Sequence, residues 1–186
     1  MKHPVSREFF SYWESKRGDA RAPERGDVDP SALRERLGDI FVLSYDDAAI
    51  HPFRVAGTRV CALFGRDVKD ASFPAFFARQ HRRDISEIIA AVAEDVVPAV
   101  AGLTATAADG RAIHLELLLL PFNTRAHCPI TLTGVLAPFE ADRRGTLGEL
   151  SLTSWRYIHP PQQKLVPRAL RKLAIARGFM VYEGLS

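Results

Sequence analysis

PFRVAGTRVCALFGRDV, residues 52–68, joins an extended apolar segment to a short helical run and closes on a charged corner. Alternation in its first half sets Phe53 and Val55 on one face and Arg54 on the other, the period of a strand. Gly57 turns the chain, and TRVCALFG then reads as a short helix carrying Cys61 and Phe64. Gly65, Arg66 and Asp67 form the corner, which reads as a mainly structural turn. What such a strand-to-helix unit builds depends on its neighbours.

Upstream, DIFVLSYDD reads as a first strand, so the pair forms an early hairpin. Further back, SREFFSYWESKRG reads as a helix with Ser6 as N-cap and Gly18 as its stop, and Phe9, Phe10 and Trp13 share one face. A turn-rich connector leads to Asp29-Pro30, which opens a short helix, PSALRERL. Downstream, FPAFFARQ is a second short helical piece. Residues 82–97 form the clearest helix, with Ile85, Ile88, Ile89, Val92 and Val96 as its apolar stripe and Pro98 as its end. VAGLTATA and RAIHLELLLLPF then meet across Asp109-Gly110, a strong hairpin signal, and PITLTGVLAPF follows as a third strand. After about residue 142 come SLTSWRYIHPP, a basic helix over 167–178 and the tail FMVYEG. Helices grouped between two sets of strands indicate α+β, with helices on one face of an antiparallel sheet.

The length, 186 residues, and a composition of 47% hydrophobic and 25% charged residues are those of a globular chain. A chain of this length buries about 70% of its unfolded surface, enough for a core without disulfides or structural metal. Cys61 and Cys128 match no paired-cysteine motif and read as reduced thiols. No signal-peptide core and no membrane-length apolar run is present, which places the protein in the cytoplasm. Lys164, Arg168, Arg171, Lys172 and Arg177 form a basic patch without acidic neighbours, suited to weak contact with an anionic membrane or nucleic acid.

The element order, with YWESKRG and DVDP near the N-terminus, FRVAGTRVCALFGRDV after the first hairpin and RGFMVYEG at the C-terminus, resembles a PAS domain. The likeness is strongest to the stand-alone single-PAS regulators of alphaproteobacteria. The resemblance implies a five-stranded antiparallel sheet of order 2-1-5-4-3 with helices cradling a cavity against one face. It divides the chain into an N-terminal helical cap and connector (1–36), a PAS core (37–140) and a C-terminal extension with the basic helix (141–186). The implied cavity is lined by Thr58, Cys61, Phe64, Phe73, Phe77, Ile88, Val92 and Leu132, an apolar wall with a few polar points, suited to a small apolar or amphipathic ligand.

The cofactor types of the family do not fit. Flavin-binding members resemble Gly-x-Asn-Cys-Arg-Phe-Leu-Gln, whereas Cys61 here precedes ALFGRDV; a haem ligand would have to be His81, which lies in the polar cluster QHRRD. The six histidines share no metal-ligand spacing, and no catalytic motif is present, so no catalytic or metal site is assigned. On the sheet, Ile113, Leu115, Leu117 and Leu119 form one face. Leu118 and Leu120 lie on the other, beside polar His114 and Glu116, and need a cover: Phe9, Phe10 and Trp13 of the N-terminal helix, or a second subunit. The resulting expectation is a cytoplasmic, non-catalytic sensory or regulatory module, a homodimer with a signalling partner. The alternative is a constitutive interaction scaffold with a filled core, or peripheral contact through the basic tail.

Overall fold

The computed structural model describes residues 1–46, 48–123, 129–140, 145–159, 172–176 and 179–182. The Asp109-Gly110 signal produces the hairpin of β3 (Ala99–Ala107) and β4 (Ala112–Leu120). Gly110 takes the left-handed conformation (φ 82°) and donates to the Ala107 carbonyl at 2.9 Å, while Ala107 donates to Arg111 at 2.8 Å. This is the three-residue loop with a bulged glycine. Asp109 accepts from the Arg111 amide at 3.1 Å and from its Nε at 2.7 Å.

Around this hairpin the sheet is antiparallel throughout. β1 (Ile40–Ser44) pairs with β2 (Phe53–Ala56) and with β5 (Thr131–Pro138), and β5 pairs with β4. The first five strands thus stand in the expected order 2-1-5-4-3, and the sheet continues through β6 (Leu147–Tyr157), β7 (Lys172–Ala176) and β8 (Phe179–Tyr182). Among the described residues no helix is long and apolar enough to cross a membrane.

Several local expectations are corrected. The helix expected over 167–178 is, in its described part, strand β7, because β6 offers Ser154, Trp155 and Arg156 as pairing partners and the ladder overrides local helix propensity. Of the basic patch, Lys172 lies in β7, while Lys164, Arg168, Arg171 and Arg177 lie outside the described residues. Val55 does not share a face with Phe53: Val42 pairs with Val55 but Leu43 with Phe53, so Arg54 is an extra residue and Val55 is left exposed. The N-terminal helix α1 (Pro4–Arg17) is capped by His3, whose Nδ1 accepts from the Val5 amide, and not by Ser6, which is buried within it. Pro4 suits the first helical turn, where its missing N–H costs nothing. PSALRERL forms a 3-10 segment, Pro30–Asp39, opened by Asp29 accepting from the Ser31 amide at 2.8 Å. FPAFFARQ likewise becomes two 3-10 turns, Pro74–Phe76 and Arg79–His81.

The main helices are α2 (Thr58–Phe64) and α3 (Arg82–Glu94). α3 stops earlier than the periodicity of its stripe predicts. Pro98 disfavours the helical conformation at Val97, and the chain turns with Val96 at φ 54°, packing Val96 against the opposite side of the sheet.

Two cores result. The inner one joins Phe41, Leu43, Phe53, Val60, Phe73, Phe77 and the α3 stripe to Ile113, Leu115, Leu117 and Leu119. The outer one joins Val5, Phe9 and Trp13 of α1 to Val100, Leu118, Leu120, Val135 and Ala137. β6 contributes Leu150, Leu152 and Trp155 to the inner core, and a bulge makes this possible. Gly102 pairs with Ser154 but Leu103 with Leu152, leaving Thr153 extra, and its Oγ1 donates to the Gly102 carbonyl at 2.8 Å. A Cβ on Gly102 would stand 2.9 Å from Ser154 Oγ and 3.0 Å from Thr153 Oγ1, so the bulge is seated on the one residue without a side chain.

Candidate functional site

α2 is a short partition whose position is fixed by the glycine before it. A Cβ at Gly57 would lie 2.2 Å from the Leu37 carbonyl oxygen and 2.4 Å from that of Gly38, so only glycine lets the helix start this close to the 3-10 segment. Gly65 ends the helix in the left-handed conformation (φ 66°). Between these two glycines α2 buries Val60 and Leu63.

On the inner side of α2 the space is occupied by aromatic rings. Phe41 meets Phe53 at 5.4 Å and Phe73 at 5.3 Å, and Phe73 meets Phe53 at 5.4 Å and Phe77 at 5.3 Å. These separations are those of edge-to-face and offset-stacked pairs. Phe41 fits because Gly134 opposite it has no side chain; a Cβ there would sit 2.2 Å from the ring. At the margin Phe64 meets Phe76 at 4.4 Å, and the Arg66 guanidinium lies 5.2 Å from the Phe76 ring centre. Of the residues expected to line a cavity, Phe73, Phe77, Ile88, Val92 and Leu132 come together in this core, and Cys61 and Phe64 are half-buried against it. Thr58 is exposed on the first turn of α2 and does not join them. Phe41 and Phe53, central here, lie on strands the sequence showed, but the sequence did not show that their rings meet.

On the other side of α2 lies a half-open cleft of about 420 Å³, reached from His3, Arg36, Asp39 and Arg59 and floored by Leu63 and Leu136. Arg59 donates to both carboxylate oxygens of Asp39, Nε to Oδ1 and Nη2 to Oδ2, each at 2.8 Å, and Nη2 also reaches the Glu35 carbonyl at 2.6 Å. Hydrogen bonding to Asp39 raises the pKa of Arg59 above its ordinary value. This two-point pair ties α2 to the 3-10 segment and so supports the partition from its solvent side.

A third polar constellation sits in the loop between β1 and β2. His51 is buried, its ring stacked on Tyr45 (5.4 Å, 10°), and Asp46 donates its amide to His51 Nδ1 at 3.4 Å. The Asp46 carboxylate accepts from the Ile50 and His51 amides, each at 3.0 Å. Tyr45 donates its hydroxyl to Glu94 at the end of α3. Burial pushes the His51 pKa below its ordinary value, with Asp46 opposing in part.

On the outer face α1 covers Leu118 and Leu120, both fully buried, and Phe10 stacks on Trp13 at 5.9 Å. Polar bonds clamp the helix at its two ends. Glu116 accepts from the Lys2 amide at 2.6 Å and the His3 amide at 3.1 Å, and Trp13 Nε1 donates to the Pro121 carbonyl at 2.9 Å.

Among the described residues no group of three or more His, Cys, Asp or Glu side chains could hold a metal ion. His81 stands at the N-cap position of α3, 3.4 Å from Gln80, and Cys128 lies outside the described residues. Burial, with Glu87 adding to it, pushes the Tyr157 phenol up, so it stays protonated. No curated protein matches the chain. The family model described as a PAS domain matches residues 1–137, the span from α1 through nearly all of β5. With the strand order above, that match settles the family: the chain belongs to the PAS domain family.

Proposed function

We propose that this PAS protein is a non-catalytic, cytoplasmic sensory or regulatory module that signals through a small-ligand cavity against the inner face, through contacts with a second copy or a partner, or both. PAS domains are generally sensory modules that commonly dimerise and engage signalling partners. In this reading residues 37–140 are the sensing core, 1–36 its cap and 141–186 an extension whose basic residues make weak contact with anionic surfaces. The observation that carries it is the half-buried pair Cys61 and Phe64 on α2, a short, glycine-bounded helix packed against the aromatic cluster. A small apolar or amphipathic molecule entering there would displace rings before backbone.

Native mass spectrometry of freshly purified protein tests this. The expected result is a non-covalent adduct that is lost on denaturation and weakened in Phe64→Ala. A protein that carries no adduct, and whose thermal midpoint no apolar or amphipathic compound raises, overturns the ligand reading. That outcome favours a second one, a constitutive interaction scaffold, for which the mutual packing of Phe41, Phe53, Phe73 and Phe77 already speaks.

A further inference from the structure

Between β1 and β2, two described residues depart from ordinary backbone geometry. Ala49 (φ 56°) and His51 (φ 44°) both hold left-handed backbone conformations that non-glycine residues rarely adopt. They are held there chiefly by Asp46, whose two carboxylate oxygens take the Ile50 and His51 amides, and by the return bond from the Asp46 amide to His51 Nδ1. Nδ1 accepts in that bond, so the imidazole is neutral with its proton on Nε2.

His51 also links three elements. Its carbonyl accepts from the Phe73 amide at 3.3 Å, joining the loop to the aromatic core. Its ring lies on Tyr45, and Tyr45 in turn bonds Glu94 at the end of α3. Among the described residues the ionisable groups disposed around it are Asp46 from its own loop, Tyr45 just after β1 and, beyond Tyr45, Glu94 from α3.

We propose that His51 is a proton-operated latch, and that acidification is an input this module senses. This rests on the sensory reading above and supplies its stimulus. A second proton on the ring must go to Nδ1, which turns the acceptor into a donor facing the donor amide of Asp46. That bond is lost. The imidazolium then turns toward the Asp46 carboxylate or toward water, and in either position it leaves the Tyr45 stack. The carboxylate drawn to it releases the Ile50 and His51 amides, the left-handed residues relax, and the tie from the loop through Tyr45 to α3 loosens. The sign is fixed by burial. His51 binds its proton less readily folded than unfolded, so the closed latch is fully stable above the ordinary histidine pKa of 6.5 and weakens as pH falls below it.

The test is NMR on the full chain. The His51 ring is identified by its Overhauser contacts to the Tyr45 ring, and amide protection factors, corrected for intrinsic exchange, are followed from roughly pH 7.5 to roughly pH 5. The expected result is that protection of the Ile50 and His51 amides begins to fall below the ordinary histidine value of 6.5 and has dropped about tenfold or more by roughly pH 5, ahead of the His51 ring titration that burial displaces to lower pH, while Leu117 in β4 keeps its protection. His51→Asn tolerates the left-handed backbone and can accept the Asp46 amide without titrating, so it should abolish the pH response. An equal fall in protection in His51→Asn, or constant protection in the wild type while the ring titrates, overturns the latch. If the variant does not fold, the wild-type curve decides: a fall in protection that sets in near the ordinary histidine value and precedes the ring titration sustains the latch, and constant protection over that range overturns it. The measurement needs no ligand, so failure of the adduct experiment leaves it intact.

Discussion

The two faces of the central sheet are built from the same strands yet held in different ways. The inner face is covered by α2, two 3-10 turns and α3, all supplied by the chain between β2 and β3, and its contacts are almost wholly apolar, with a cluster of phenylalanine rings among aliphatic side chains. The outer face is covered by one helix from the N-terminus, lying on aliphatic side chains and clamped by polar bonds at Glu116 and Pro121. An aromatic jigsaw cannot lose one piece without leaving a void, because neighbours relax only in part. A helix held by a few directional bonds can loosen as a unit. The inner face should therefore respond to mutation as one body, and the outer face by release of α1.

Phe41→Ala tests the first half of that contrast most severely. It removes the ring seated over Gly134 and should cost about 3–5 kcal/mol in chemical denaturation, lowering protection in β1, β2 and the 3-10 turn at Pro74–Phe76 together. Leu118→Ala should cost about 3 kcal/mol, with the early loss of protection confined to α1 and β4. If the two variants lose protection over the same residues, the faces are not separable and the comparison fails. Trp13→Phe keeps most of the apolar volume and deletes the bond to the Pro121 carbonyl, so the smallest change is expected, about 1 kcal/mol, read as faster exchange in α1 alone.

How far the sequence foretold these faces depends on where its periods run unbroken. The alternation of β4 showed that Leu118 and Leu120 could not face water; the structure lays α1 over them and buries Glu116 beside them. The helix α2 was legible because Gly57 and Gly65 bracket it. Reading failed where a single extra residue shifts the alternation. Arg54 turns Val55 outward, and Thr153 places Leu152 and Trp155 on one face although they are three apart, so β6 escaped recognition as a strand. The end of α3 was missed for a related reason: Val96 continues the helical stripe in sequence but belongs to the opposite core in space. The polar constellation around His51 was invisible for another reason. It depends on left-handed backbone at Ala49 and His51, which no periodicity reports.

The bulge at Thr153 has an optical consequence. By turning Trp155 into the inner core while Trp13 lies in the outer one, it gives the chain's two indoles opposite sides of the sheet. Their environments differ as well, since Trp13 Nε1 is bonded to a carbonyl and Trp155 Nε1 is buried with no acceptor among the described residues. Replacing either by Phe leaves a single emitter. The pair of single-tryptophan proteins would time the opening of each side separately, with no label added.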